Sequence, residues 1–197
     1  MGLVLSTPPE GSVSALRAAL GTLATRGQLD ERRLRRTPLE DINVTAPHPV
    51  YVLGLSDLVE PDLKRARPTG WRYLVEADGD VVAAAETAQR DEQTHAFTQL
   101  NHGPFVNGTV TALSEAERLA AERDFELRIL SVPALYVHAL WLQPVGTEGE
   151  AATLIPLAPA PPGIDANRAY PEAELLTVLA ARAREVPVMS PDDTRGG

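Results

Sequence analysis

Arg128, Tyr136 and His138 are the residues whose types come nearest to a chemical site in this chain. They lie in the stretch FELRILSVPALYVHALWL. A histidine titrating near neutrality beside a cation and a phenol can act as a general acid or hold an anion. In that stretch Phe125, Leu127 and Ile129 alternate with Glu126 and Arg128, the pattern of a half-buried strand. A loop of Val132 to Ala134 would make it a hairpin pairing Arg128 with His138 and Leu130 with Tyr136. That register gathers the polar side chains on one face. It leaves Phe125, Leu127 and Ile129 with Val137, Ala139 and Trp141 on the other, and Trp141 completes the binding candidates. A cross-strand polar pair on a solvated face explains the same residues without function. No nucleophile or carboxylate is tied to them by spacing, so no catalytic residue is assigned.

Other constellations are weaker. His95 and His102, with Asn101 and Asn107, are too far apart in sequence for the i, i+4 pair of a helical zinc motif. Helix-start capping is the simpler role for Asn101 or His102, and no metal is expected. Gly54-Leu55-Ser56-Asp57 lacks the second glycine of a nucleophile elbow. Neither a phosphate-binding P-loop nor a dinucleotide fingerprint occurs, so no cofactor is expected. The terminal Arg195-Gly196-Gly197 has the form of a tail that an adenylating enzyme could reach, although two terminal glycines carry little information alone.

Composition narrows the classes further. The 197 residues suffice for one large domain or two small ones, and 44% hydrophobic with 23% charged residues is ordinary for a globular core. With no cysteine, disulfides and thiolate chemistry are excluded. The net charge of −9 opposes binding along a phosphate backbone, so nucleic acid is not an expected partner. The basic cluster Arg32, Arg33, Arg35 and Arg36 reads as a solvated face or a partner contact. No apolar run reaches the roughly 18 residues of a membrane span. The start MGLVLSTPPEG lacks a basic leader, and Gly2 with Ser6 fits a myristoylation pattern only in outline. Lys64 is the single lysine among 18 basic residues in an alanine- and proline-rich chain, a bias typical of GC-rich bacterial genomes. A cytoplasmic location is the default expectation.

The elements that must position these residues follow from periodicity. Val13, Leu16, Leu20 and Leu23 form one helical stripe ending near Gly27. Residues 28–36 suggest a second short helix, and TAPHP at 45–49 breaks regular structure before a strand from Val50. In WRYLVEADGDVVAAAET, Asp78-Gly79 specifies a two-residue type I′ hairpin turn. Strict pairing outward from that turn sets Val75 opposite Val82 and Tyr73 opposite Ala84. Alanines are poor strand formers, so the run at 83–85 implies a closely approaching neighbour. HAFTQL reads as another strand and Gly103-Pro104 as the start of a long helix over 104–122. ATLIPL is a last strand, followed by the stiff APAPPG and a helix from Pro171 that turns Leu175, Leu176, Leu179 and Ala180 inward.

These elements predict an α+β fold: an antiparallel sheet built from hairpins, one long helix packed across it, and terminal helices. Residues 1–158 form the α+β domain. Residues 159–197 form a proline-rich connector, helix and tail, either within that domain or as a docking arm. The expected function is a non-enzymatic bacterial protein-interaction module (an adaptor, chaperone-like or assembly subunit) engaging a protein partner or a second copy. The alternative is a small enzyme or ligand-binding domain in a sheet–helix cleft around His138.

Overall fold

Local chemistry marks one end of each helix. The first apolar stripe folds as α1 (Glu10–Thr25), buries Leu16 and Leu20, and ends before Gly27, whose φ of +64° suits a residue without Cβ. Pro104 opens α2 (Pro104–Ala120) from its first turn, where its missing N–H would be unpaired anyway. Pro171 precedes α3 (Glu172–Glu185), which carries acidic residues in its first turn and arginines in its last, both favourable to the helix dipole. The computed structural model describes residues 2–91, 94–146 and 149–186. The terminal Arg-Gly-Gly lies outside the described residues.

The strands are β1 (Leu3–Val4), β2 (Asn43–Val52), β3 (Arg67–Ala77), β4 (Asp80–Gln89), β5 (His95–Asn101), β6 (Phe125–Val132), β7 (Val137–Pro144), β8 (Thr153–Pro156) and β9 (Tyr170–Pro171). They form one nine-stranded sheet in the order β5-β4-β3-β2-β6-β7-β8-β9, with β1 beside β6. The fold is therefore mixed α+β with a mostly antiparallel sheet. Two features depart from an all-hairpin sheet with one dominant helix. β2 and β1 both run parallel to β6, and the three helices are of similar length. Residues 28–36 form turns rather than a helix, although Leu29 and Leu34 are buried there.

TAPHP lies inside β2 rather than breaking it. Ala46 takes a positive φ of 45°, and the β3 ladder skips between Thr45 and His48. Proline is normally barred from central strands because it has no N–H to donate to a neighbouring strand. Here the ladder to β6 spans only Val50 to Val52, so Pro47 and Pro49 sit where that flank of β2 is unpaired.

The central parallel pair gives the sheet an internal symmetry with no counterpart at a fixed sequence period. The strand order is symmetric about that pair: β2-β3-β4-β5 runs outward on one side and β6-β7-β8-β9 on the other, and each run is followed by a helix, α2 and α3 on opposite faces. α1 covers one face of β4 and the edge strand β5, where Leu16 and Leu20 share a core with Tyr73, Val75, Ala83 and Ala85 and pack near Phe97 and Leu100. On the same face α3 covers β7 and β8, burying Leu175, Leu176 and Leu179 with Trp141 and Leu154. The opposite face belongs to α2. Val106 near its start meets Leu74 and Ala84, while Ala112, Ala116 and Ala120 meet Leu127, Leu140 and Leu142. Gly108 is the point of closest approach: a Cβ there would lie 2.3 Å from the Ala158 carbonyl oxygen.

The Asp78-Gly79 turn forms as its residues require, with φ of 55° and 81°. One residue beyond it the pairing slips. Glu76 still faces Val81, but Val75 faces Ala83 and Leu74 faces Ala84, so Val82 is extra. The bulge moves Ala83 and Ala85 onto the α1 face and turns Ala84 to α2. All three alanines are fully buried because helices close on both sides of them. Ala84→Leu is therefore expected to cost about 1–3 kcal/mol by overpacking against Val106 and Leu74. A thermal melt unchanged by the substitution would show that α2 does not press on this strand.

Candidate functional site

The second hairpin closes in a different register from the one its polar pattern favours. A single 3₁₀ turn, Pro133–Leu135, and a left-handed Tyr136 join β6 to β7, so Ser131 faces His138 and Arg128 faces Trp141. This three-residue slip parts Arg128 from His138 and sets Trp141 opposite Arg128. Tyr136 lies in the turn, 81% exposed. Arg128 and Trp141 share the α1/α3 face, and His138 points to the α2 face.

On the α1/α3 face Arg128 is held by one carboxylate and two aromatic rings, although its Nε has no hydrogen-bond partner. Its guanidinium lies 5.0 Å from the centre of the Trp141 ring and 5.3 Å from that of Tyr51, and it donates to Glu126 at 2.5 Å. Glu126 also accepts from Ser6 at 2.7 Å. Burial raises the Glu126 carboxyl, but the bonds from Arg128 and Ser6 outweigh it and hold the group below the usual range. This cluster ties the chain start to the centre of the sheet.

The α2 face carries a second polar cluster, in which His138 is joined by residues the sequence did not single out. Arg72 on β3 is 3% exposed. It donates to Glu86 across the β3–β4 ladder at 2.9 Å and to the Thr109 hydroxyl on α2 at 3.3 Å. Gln99 on β5 donates to the other Glu86 oxygen at 2.8 Å, and the Thr109 hydroxyl donates in turn to the Phe105 carbonyl at 2.8 Å. His48 lies opposite Arg72 in the β2–β3 ladder and is completely buried. Phe105 meets the His138 ring edge-on at 5.8 Å.

The electrostatics follow from this burial. Arg72 is pushed down by desolvation and supported by Glu86, so the pair is a nearly dry salt bridge. His48 is lowered to about 3, first by desolvation and then by the Arg72 charge. The backbone at Ala46 opposes this slightly, yet neither ring nitrogen meets a partner at ordinary hydrogen-bond geometry. His138 is also lowered, by burial and by Arg72, with Glu86 pulling the other way. Both imidazoles are therefore neutral beside one compensated cation. That arrangement suits a rigid polar layer better than a proton relay, because the Arg72 and Glu86 charges already partner each other. Among the described residues no His, Asp and Glu group is arranged to hold a metal ion.

Comparison with protein-family models, with curated proteins and with solved structures finds no match for this chain.

His95 and His102 stand at opposite ends of β5 and do not converge. Around the second of them the surface opens into a cleft of about 170 Å³. Leu23, Ala83, Phe97 and Leu100 supply its apolar part, and Gln28, Asp30, Glu31 and His102 complete the lining. A shallower groove lined by Arg32, Arg33, Val81, Val82, Gly103 and Asn107 continues from the same Asp30, Glu31 and His102. The cleft combines residues of α1, the 28–31 turn, β4 and β5, a juxtaposition that no local motif announces. Beside it β5 forms an edge of the sheet, and among the described residues no strand pairs with its outer side. Among the described residues no helix is long and apolar enough to cross a membrane.

Proposed function

We propose that this chain is a protein-interaction module that receives an extended segment of a partner along β5. The observation carrying this reading is the character of that edge. Exposed edges are normally guarded by lysine, proline, inward charge, a bulge, extreme shortness or a covering helix, since unpaired N–H and C=O groups recruit other strands. Here α1 packs on one face of β5, and among the described residues no strand pairs with its outer side. β5 runs for seven residues, His-Ala-Phe-Thr-Gln-Leu-Asn, without a proline or a formal charge. Its one irregularity is the skip at Thr98, whose hydroxyl donates to the Glu86 carbonyl at 3.0 Å. Main-chain bonding to such an edge supplies affinity, and neighbouring clefts supply specificity.

Affinity capture from the native cells, run in parallel with the chain and its Thr98→Pro variant, tests the reading. A partner held by the chain and lost by a variant that melts at the same temperature is the expected result. A partner retained equally by both would place the interaction elsewhere.

A second reading, a small-ligand or enzymatic site at His138, draws on the convergence of His48, Arg72, Glu86 and Thr109 near that residue. The same capture separates the two, because a small-molecule site predicts no protein partner that depends on Thr98.

A further inference from the structure

Resting on that reading, we infer that the segment received along β5 is cationic and places a lysine or arginine side chain in the cleft beside it. Three observations on the same side of the molecule converge. The cleft has an apolar floor of Leu23, Ala83, Phe97 and Leu100, and its rim carries the carboxylates Asp30 and Glu31. An apolar floor below a carboxylate rim matches a side chain with a long aliphatic stem and a charged end, which covers apolar surface while its head stays wet.

The second observation is reach. Phe97 pairs with Thr87, and Leu100 with Ala85, so both point to the α1 face where the cleft opens. A strand added outside β5 would lie about 4.8 Å away, with alternate side chains on that same face. From there a side chain on that face would have to cross β5 toward residues 30 and 31, which line the same cleft as Phe97 and Leu100, and lysine and arginine are the longest cationic choices.

The third is charge. Among the described residues Asp30 meets no hydrogen-bond or ion-pair partner, and Glu31 uses one oxygen to accept from the Leu34 N–H at 2.9 Å, leaving the other for a ligand. Of the arginines that follow in sequence, Arg33 is already bound to Asp80, and Arg32 lines the adjoining groove that Asp30 and Glu31 also line. The chain as a whole carries −9, which attracts a basic partner and opposes docking of a second copy on this edge.

The test uses the full chain and short acetylated peptides alternating Thr and Val, with Lys or Glu at the centre. Binding is read by fluorescence anisotropy and located by amide shifts in the NMR spectrum. The Lys peptide should perturb the β5 amides and bind more tightly than the Glu peptide. In Asp30→Asn/Glu31→Gln its affinity should fall roughly five- to tenfold, and its salt dependence should flatten. The carboxamide introduced at position 31 can still accept from the Leu34 N–H, and a matching thermal melt confirms that the variant is folded. Equal binding of both peptides along β5 would leave the edge reading standing and overturn the cationic partner. If neither peptide moves the β5 amides, both proposals fail together. A concentration-dependent dimer in sizing, with contacts across β5, would make a second copy the occupant and overturn the inference.

Discussion

Glu86→Leu is expected to destabilise this protein by about 3–5 kcal/mol, while Arg72→Met/Glu86→Leu recovers most of that loss. Arg72 is almost wholly enclosed, and among the described residues Glu86 is its only charged partner within hydrogen-bond reach. Removing the carboxylate leaves a cation in a low-dielectric layer between β3 and α2, with only the Thr109 hydroxyl to receive it. An uncompensated buried charge costs several kcal/mol, whereas exchanging both partners for apolar side chains of similar size removes that penalty. Urea unfolding of the two variants checks this. A loss below about 1 kcal/mol in the single variant would mean that Arg72 is solvated, contrary to its burial. The pair also holds Gln99 of β5, so the double variant should loosen the edge strand even where global stability returns.

Acidification should weaken the fold before its carboxylates titrate, and His48 is the reason. Its pKa is about 3 in the folded chain against 6.5 when exposed. Between those values the unfolded chain binds a proton that the folded chain refuses, so stability rises with pH through this window. It is fully present above about pH 6.5 and drains away as the pH falls toward 3. The shift corresponds to at most about 5 kcal/mol over the whole window, and roughly 2–3 kcal/mol by about pH 4.5. His138, lowered in the same direction, adds to the upper part of the slope. Carboxylates held low by their partners, such as Glu126, act only below their unfolded values and so enter later. His48→Met should flatten the dependence between about pH 6.5 and 4.5. It should hold or slightly raise stability at neutrality, since an unpartnered polar ring gives way to an adaptable apolar chain. Melts at a series of pH values decide it. A slope in the variant as steep as in the parent would assign the acid sensitivity to other groups.

What the sequence determined by itself is local. Asp78-Gly79 forms its turn because few other pairs accept positive φ at both central positions. Pro104 and Pro171 mark helix starts, and the stripes of α1 and α3 bury the leucines their spacing lines up. The small size of Ala83, Ala84 and Ala85 already announced a close neighbour, though not that there would be one on each face.

Register was decided by the tertiary structure. A strand has period two, so an extra Val82 in one hairpin and a left-handed Tyr136 in the other reassign every following side chain. The slip at Tyr136 separated His138 from Arg128 and set Trp141 opposite Arg128 instead, while His138 lies within the influence of Arg72. Pairing of β2 with β6 joins residues 50 and 129, a contact whose loop-closure entropy no local pattern reveals. His48 was hidden between two prolines that are tolerated only because β6 leaves that flank of β2 unpaired. The edge exposure of β5 and the cleft beside it arise in the same way. They depend on which strand is left without a neighbour, and that is a property of the assembled sheet.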